Sequence, residues 1–211
     1  MKKTVIIDYG FGNLFGLAKA LRYAGADLVV SGDPGVVRAA DALVLPGVGA
    51  FGDGMTEFEK RGLKAAVRDA FFSHVPLLGI CLGMQFFFEK SFEFGEHEGL
   101  GIIMGEVKKI SVPSGPFCKI PHVGWNMLLP ERDANFTSPL LSGIAPRSQV
   151  YFVHSFAGYP ADAADIIANT HYCGQTVTAI VNKGNAYGVQ FHPEKSGAVG
   201  IILLKNFLSL I

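Results

Sequence analysis

Over roughly the first ninety residues, short β-branched and aliphatic runs alternate with stretches whose apolar positions recur every three or four residues. Residues 4–7 read as a buried strand and 8–12 as a turn. Asn13 reads as the cap of a helix with Leu14, Leu17, Ala18 and Leu21 on one face. Strands follow at 27–30 and 42–45. Helical spacing then runs over 53–72 (Met55, Phe58, Leu63, Val67, Phe71), with a break near Gly62. A strand at 76–80 leads into a helix at 82–88. Strands alternating with helices predict a parallel sheet covered on both faces.

From about residue 102 the pattern changes. Segments 103–110, 125–129, 150–153, 165–170, 176–181 and 186–191 read as strands separated by Gly, Pro and polar turns. The closing helix, 198–210, carries Val199, Leu203, Asn206, Phe207 and Leu210. The expected fold class is α/β: an open, mostly parallel, flavodoxin-like sheet flanked by helices, with an antiparallel portion in the second half. A single domain over 1–211 is expected, because no repeat, low-complexity tract or linker interrupts the pattern.

Composition narrows the function classes. Of 211 residues, 49% are hydrophobic, enough for a sizeable core. Lys plus Arg and Asp plus Glu both number 18, which removes the basic footprint of a nucleic-acid binder. The Met-Lys-Lys start resembles a secretory n-region, but the apolar stretch behind it stops at Asp8. The most apolar window, 75–88, is interrupted by Gly79, Gly83 and Gln85, so no membrane span is expected. Three cysteines, Cys81, Cys118 and Cys173, are odd in number and widely spaced. They suit neither a disulfide framework nor a zinc site, and so predict a reducing, cytoplasmic location.

Candidate chemistry centres on Gly79-Ile-Cys81-Leu-Gly83, where a buried strand runs straight into a helix. This is the thiol version of the Gly-x-Ser-x-Gly elbow. Glycines on either side of the nucleophile relieve crowding at the strained turn, and the helix N-terminus favours thiolate. A buried core cysteine is the bland alternative; the elbow context outweighs it. Among six histidines, His192 stands out in Phe191-His-Pro-Glu194. Residues two apart in extended chain share a face, so Glu194 can orient the His192 ring as the third member of a triad. Oxyanion donors are expected from the Leu82 N–H and from the glycine-rich turn Pro46-Gly-Val-Gly49, at a parallel strand's carboxyl end.

With these pieces assembled, the sequence resembles the class I (triad) glutamine amidotransferases. Within them it is most similar to the glutaminase subunits of imidazole glycerol phosphate synthases. The resemblance spans the chain: Ile6-Ile-Asp-Tyr-Gly-Phe-Gly-Asn13, Leu45-Pro-Gly-Val-Gly-Ala-Phe51, Gly79 to Gln85, Pro121-His-Val-Gly-Trp-Asn126, Tyr151-Phe-Val-His-Ser-Phe156, and Gly188-Val-Gln-Phe-His-Pro-Glu-Lys-Ser196. It implies Cys81 as nucleophile, His192 as acid and base, and Glu194 as orienter. It further implies oxyanion donors at Leu82 and near Val48–Gly49, a peptide that reorients when the partner's ligand binds. Glutamine contacts would come from Gly49, Gln85, Ser155 and Phe156. Asn13, Trp125, Asn126, Tyr151 and Lys195 would face a partner, although for Trp125 a core role is equally open. His122 and His154 fall outside the triad pattern and read as structural. The implied partners are L-glutamine and a (β/α)8-barrel cyclase in a heterodimer, with no metal or organic cofactor. Three alternatives remain: a paralogue serving an amidino-sugar synthase, a peptidase-type hydrolase, and a non-catalytic α/β protein with a reactive cysteine.

Overall fold

The computed structural model describes residues 2–113, 118–131 and 135–211. Its first half is β1 (Lys3–Ile7), α1 (Leu14–Ala24), β2 (Asp27–Ser31), α2 (Pro34–Arg38), β3 (Ala42–Leu45), α3 (Phe51–Lys60), α4 (Leu63–Phe72) and β4 (Leu77–Ile80). One short turn of helix, α5 (Leu82–Gln85), follows. Then come β5 (Phe88–Ser91), β6 (His97–Glu98), β7 (Ile103–Lys109), β8 (His122–Met127), β9 (Leu129–Pro130), β10 (Gln149–His154) and β11 (Phe156–Pro160). The chain closes with β12 (Ile166–Tyr172), β13 (Gln175–Lys183), β14 (Ala186–Val189) and α6 (Gly197–Leu208).

The main sheet has eight strands in the order β2-β1-β3-β4-β14-β13-β12-β9. Pairings from β2 through β14 are parallel, and those from β14 to β9 are antiparallel. The expected mixed α/β class is therefore present. Both faces of the parallel part are covered, and alternate residues of one strand enter different cores. Val5, Ile7, Leu43 and Leu45 meet Phe51, Phe58 and Val67 of α3 and α4. Ile6, Val44 and Leu78 meet Leu17 and Leu21 of α1 and Leu203 and Phe207 of α6. That is why β1, β3 and β4 read as continuous apolar runs. Asn13 caps α1, its side chain accepting from the Gly16 N–H at 3.3 Å.

Two smaller sheets, β10-β8 and β11-β7-β5-β6, stand beside the main one. Here sequence reading fared worse. The helix expected over 82–88 stops at Gln85, and Phe88 pairs with Ile103 as β5. Phe86, Phe87 and Phe88 are all fully buried, so no polar face marks where helix gives way to strand. The strand expected at 125–129 begins at His122 and ends at Met127, and β11, β6 and α2 had not been assigned. The cysteine reading is also corrected: Cys118 and Cys173 are joined in a disulfide, with Cα atoms 5.7 Å apart. Cys118 lies just before β8 and Cys173 in the β12–β13 turn, so the fold closes a gap of 55 residues that spacing could not reveal. The cysteine count therefore no longer supports a reducing compartment. Among the described residues no helix is long and apolar enough to cross a membrane.

Because β3, β4 and β14 are adjacent and parallel, their carboxyl ends lie along one sheet edge. The segments that follow them are Pro46–Gly49, the Cys81 elbow and the His192 turn. Open α/β sheets bind ligands at this edge.

Candidate active site

Strand β4 ends in a forced turn. Cys81 has φ 54° and ψ −108°, a left-handed conformation that costs roughly 1–3 kcal/mol for a non-glycine residue. The flanking glycines are sterically required. A Cβ on Gly79 would stand 2.7 Å from the Gly83 carbonyl oxygen, and one on Gly83 would stand 1.8 Å from that of Leu45. The Cys81 N–H donates to the Val189 carbonyl at 2.8 Å, tying the elbow to β14. Since α5 is a single turn, its N-terminus offers the sulfur a few unpaired N–H groups rather than the field of the longer helix expected at 82–88.

The next strand over delivers His192, the candidate base. His192 is buried, and its Nδ1 lies 2.9 Å from Glu194 Oε1. Residues 193–195 form a 3-10 turn, so the pair meets across a turn and not along the extended chain that motivated its prediction. Ser196 Oγ donates to the His192 carbonyl at 2.7 Å and accepts from the Tyr151 N–H at 3.0 Å, fastening the turn to β10. Burial opposes charge on His192. The Cys81 sulfur and the Glu194 carboxylate outweigh it and raise the imidazole well above its ordinary range. Nε2 is buried without an aligned hydrogen-bond partner, and Cys81 is the group it senses most strongly. An imidazole held by a carboxylate on one nitrogen and facing a thiol with the other is equipped to carry a proton.

On the opposite side of the elbow lies the loop after β3. Tyr9 Oη anchors it by donating to the Pro46 carbonyl at 2.9 Å, and burial followed by Cys81 raises the Tyr9 phenol. Gly49 has φ 115° and Val48 is 43% exposed. The expected oxyanion donor, Leu82 N–H, is already engaged with the Gly47 carbonyl, at a long 3.4 Å. Gly47, rather than Val48 or Gly49, thus supplies the carbonyl that turns toward the elbow.

Elbow and loop open onto a cavity of about 290 Å³ lined by Val48, Gly49, Cys81, Leu82, Gln85 and Glu93, with Pro121 and Val153 to Phe156 on the far wall. All the expected glutamine contacts line it. Gln85 donates both amide hydrogens to protein, to the Phe156 carbonyl at 3.0 Å and to Gln190 Oε1 at 3.1 Å. Its Oε1 remains free to accept from a ligand. Sequence reasoning missed Glu93. One of its oxygens accepts from the Phe51 N–H at 2.7 Å, and burial holds its carboxyl above the usual range. It lies outside the motifs quoted above, so only the folded cavity reveals it. Gln190, whose amide reaches the Cys81 sulfur at 3.6 Å, was also missed, although it lies inside the Gly188–Ser196 motif.

Behind the site, β8 and β10 present an apolar outer face in which Val123 and Trp125 are each 54% exposed. Trp125 meets Tyr151 edge-on at 6.1 Å, and Lys195 Nζ sits 5.5 Å from the Tyr151 ring. Three of the expected partner-facing residues therefore form one patch. Asn13 is exposed but occupied in capping α1. Asn126 differs: its side chain turns inward to His122 and to the His171 carbonyl.

The profile of the family described as Glutamine amidotransferase class-I matches residues 5–210. The chain belongs to the class I glutamine amidotransferases. As an amidotransferase it has relatives that match along their whole length. It is 45% identical to the imidazole glycerol phosphate synthase subunit HisH 1 of Legionella pneumophila (strain Lens), covering 100% of both chains. It is 47% identical to the imidazole glycerol phosphate synthase subunit HisH of Aquifex aeolicus (strain VF5), covering 97% of this chain and 95% of that one. Among solved structures, PurLQS from Thermotoga maritima shares the fold with a TM-score of 0.75 at 20% identity, over 100% of this chain and 99% of the other.

Proposed function

We propose that this amidotransferase is the glutaminase subunit of an imidazole glycerol phosphate synthase, hydrolysing L-glutamine and passing ammonia to a cyclase subunit. One observation carries the chemistry: the Cys81 elbow and the paired His192–Glu194 turn sit on adjacent parallel strand ends, with Cys81 lining a cavity of about 290 Å³. The full-length relatives named as such subunits support the choice of pathway.

In this reading the glutamine amide enters toward Cys81. Its α-ammonium is received by Glu93 and by the free Oε1 of Gln85, while Ser155 and Phe156 close the far wall. The Cys81 thiolate attacks the side-chain carbonyl carbon. His192 Nε2–H then gives its proton to the departing nitrogen, releasing ammonia and leaving a γ-glutamyl thioester. Water attacks the thioester with His192 as base, the C–S bond breaks, and glutamate leaves with the thiolate restored. Glu194 holds the ring through Nδ1 and stabilises the imidazolium at both stages.

The resting loop makes a poor oxyanion hole. With the Gly47 carbonyl on the Leu82 N–H, the developing oxyanion finds a competing acceptor where it needs donors. Flipping the Gly47–Val48 peptide would free Leu82 and turn the Val48 N–H inward. A partner would favour the flipped state through contacts made only in that orientation, and the exposed Val48 is the part of the loop that a partner can reach. The (β/α)8 architecture of the cyclase and the one-to-one assembly belong to this proposal. The test is steady-state glutaminase turnover for the chain alone, with a cyclase, and with the cyclase plus its nucleotide. Equal turnover in all three discards the synthase assignment.

A further inference from the structure

We propose that Gln190 is a catalytic residue of this site, a hydrogen-bond donor aimed at the Cys81 sulfur by a chain of side chains whose polarity one backbone carbonyl dictates. The proposal rests on the reading of Cys81 as nucleophile.

The argument starts from the Phe156 carbonyl, which can only accept. Gln85 Nε2 stands 3.0 Å from it and His154 Nδ1 2.8 Å, so both must donate. Each assignment propagates. With its amide nitrogen fixed, Gln85 also donates to Gln190 Oε1 at 3.1 Å. The carbonyl end of Gln190 is thereby committed, and its NH2 end faces Cys81 Sγ at 3.6 Å, within the range for a sulfur acceptor. In the other direction, neutral His154 protonated on Nδ1 offers a lone pair on Nε2. His122 Nδ1 stands 3.0 Å away and must carry a hydrogen. His122 Nε2 then accepts from Asn126 Nδ2 at 3.3 Å, and Asn126 also donates to the His171 carbonyl at 2.8 Å.

Every link is satisfied by neutral imidazoles in one tautomer, and burial lowers both histidines, His122 to about 4 and His154 to about 3. Gln190 is completely buried. A primary amide flipped the other way would set its oxygen against the sulfur and its nitrogen against the Gln85 nitrogen, losing two bonds in a dry site. The donor is thus pre-set before substrate arrives and needs no reorganisation as negative charge gathers on sulfur. It serves twice, on the attacking thiolate and on the thiolate that leaves when water opens the thioester. Gln85 touches neither sulfur nor leaving group and acts as the positioning residue of Gln190, whereas His154, His122 and Asn126 form a separate branch from the same carbonyl.

Gln190→Met tests the idea, because it keeps the length of the side chain while deleting the donor that faces sulfur. A hydrogen bond to a charged acceptor corresponds to roughly one to two powers of ten. Alkylation of Cys81 by iodoacetamide at pH 7 should therefore slow by about tenfold or more, with glutaminase kcat falling in step and the glutamine KM moving less than about twofold. Gln190→Glu, whose carboxyl burial keeps protonated, retains a donor toward sulfur and should fall between this variant and the parent. Unchanged alkylation rates in both variants overturn the donor role, whereas a parent enzyme whose Cys81→Ser variant stays active overturns the nucleophile instead. A second measurement needs no substitution. Nitrogen-15 NMR of the unaltered chain should find His122 and His154 both neutral and protonated on Nδ1. A proton on Nε2 of His154 overturns its donation to the Phe156 carbonyl, and with it the premise that this carbonyl sets the polarity of the network.

Discussion

The two walls of the active site are built to opposite specifications. On the nucleophile side nothing has room to move: the Cys81 elbow is strained, its glycines touch neighbouring backbone, and the His192 turn is held by Glu194 within and by Ser196 and Tyr151 outside. On the oxyanion side the loop is anchored at its start, where Tyr9 holds the Pro46 carbonyl and Gly47 is buried against Tyr9 and Leu82. Beyond it Val48 is exposed, Gly49 adopts a positive φ, and the Gly47 carbonyl meets the elbow through a long 3.4 Å contact. The difference separates two tasks. In the proposed function the locked wall sets what chemistry is possible, and the looser one sets when it happens. Rigid positioning lowers the barrier of the chemical step, while a peptide with two orientations provides an equilibrium that a partner can bias.

Substitutions should sort by wall. On the locked side the loss is independent of any partner. Cys81→Ala is expected to reduce glutaminase turnover by at least ~10,000-fold, since triad members act as a unit; comparable residual turnover with and without a cyclase would confirm that the thiol is indispensable in both states. His192→Asn should approach this loss. Glu194→Gln keeps the size of the orienter and should cost less, about 100-fold or more, because an amide weakens the imidazolium's partner. Parental kinetics in the Gln variant would remove Glu194 from the mechanism.

On the loose side the effect should depend on the partner. Tyr9→Phe deletes the hydrogen bond to the Pro46 carbonyl, and removing a bond of about 1 kcal/mol from the resting loop should raise basal turnover several-fold while leaving stimulated turnover nearly unchanged. A proportional change in both rates would show that the loop is not the switch. Trp125→Ala and Tyr151→Ala should weaken cyclase binding about 10- to 100-fold, read by calorimetry, if this exposed patch is the interface core.

The smallest effects on catalysis belong to the far side of the small sheets. Cys118→Ala should lower the melting temperature by several degrees through loss of the bond to Cys173, with glutaminase turnover within about twofold of the parent. The buried histidines add a pH signature. Burial depresses His122 to about 4 and His154 to about 3, so the unfolded chain binds more protons between those values and the ordinary imidazole range near 6.5. The contribution of these two histidines should be complete above pH ~6.5 and decline as pH falls toward 4. That of the raised His192 has the opposite sign and fades as pH rises toward 10. Thermal melts across that range check the sign, and a His154→Gln variant should flatten the slope.

What could be read in the sequence followed the same division. The parallel half was legible because β1, β3 and β4 are largely apolar and α1, α3 and α4 keep clear periodicity, so strand ends, and with them the elbow, fell where expected; the five-residue α2 was too short for a period to show. The Gly79–Gly83 and Phe191–Glu194 motifs singled out Cys81, His192 and Glu194 as candidates because their pattern is local, and the fold brings the segments that carry them to adjacent strand ends. The small sheets were legible only in part: β7 and β10 fell where 103–110 and 150–153 were expected and β8 overlapped 125–129, but Phe86–Phe88 has no polar face to mark a strand start, and β11 pairs with a distant β7. Contacts across long separations stayed hidden for that reason, including Glu93 in the cavity, the Cys118–Cys173 bond, and the inward turn of Asn126. The state of a peptide, such as the Gly47 carbonyl on Leu82, is likewise beyond what residue types encode.

The central claim is that the Gly47–Val48 peptide, not the triad, limits the isolated chain. Pre-steady-state turnover with glutamine tests it most directly. With cyclase and nucleotide present, formation of the Cys81 thioester should accelerate by roughly 100- to 1,000-fold, the magnitude of one oxyanion donor, with glutamine affinity little changed. A thioester that forms equally fast in the isolated chain would contradict the account, because the resting loop would then already hold the oxyanion.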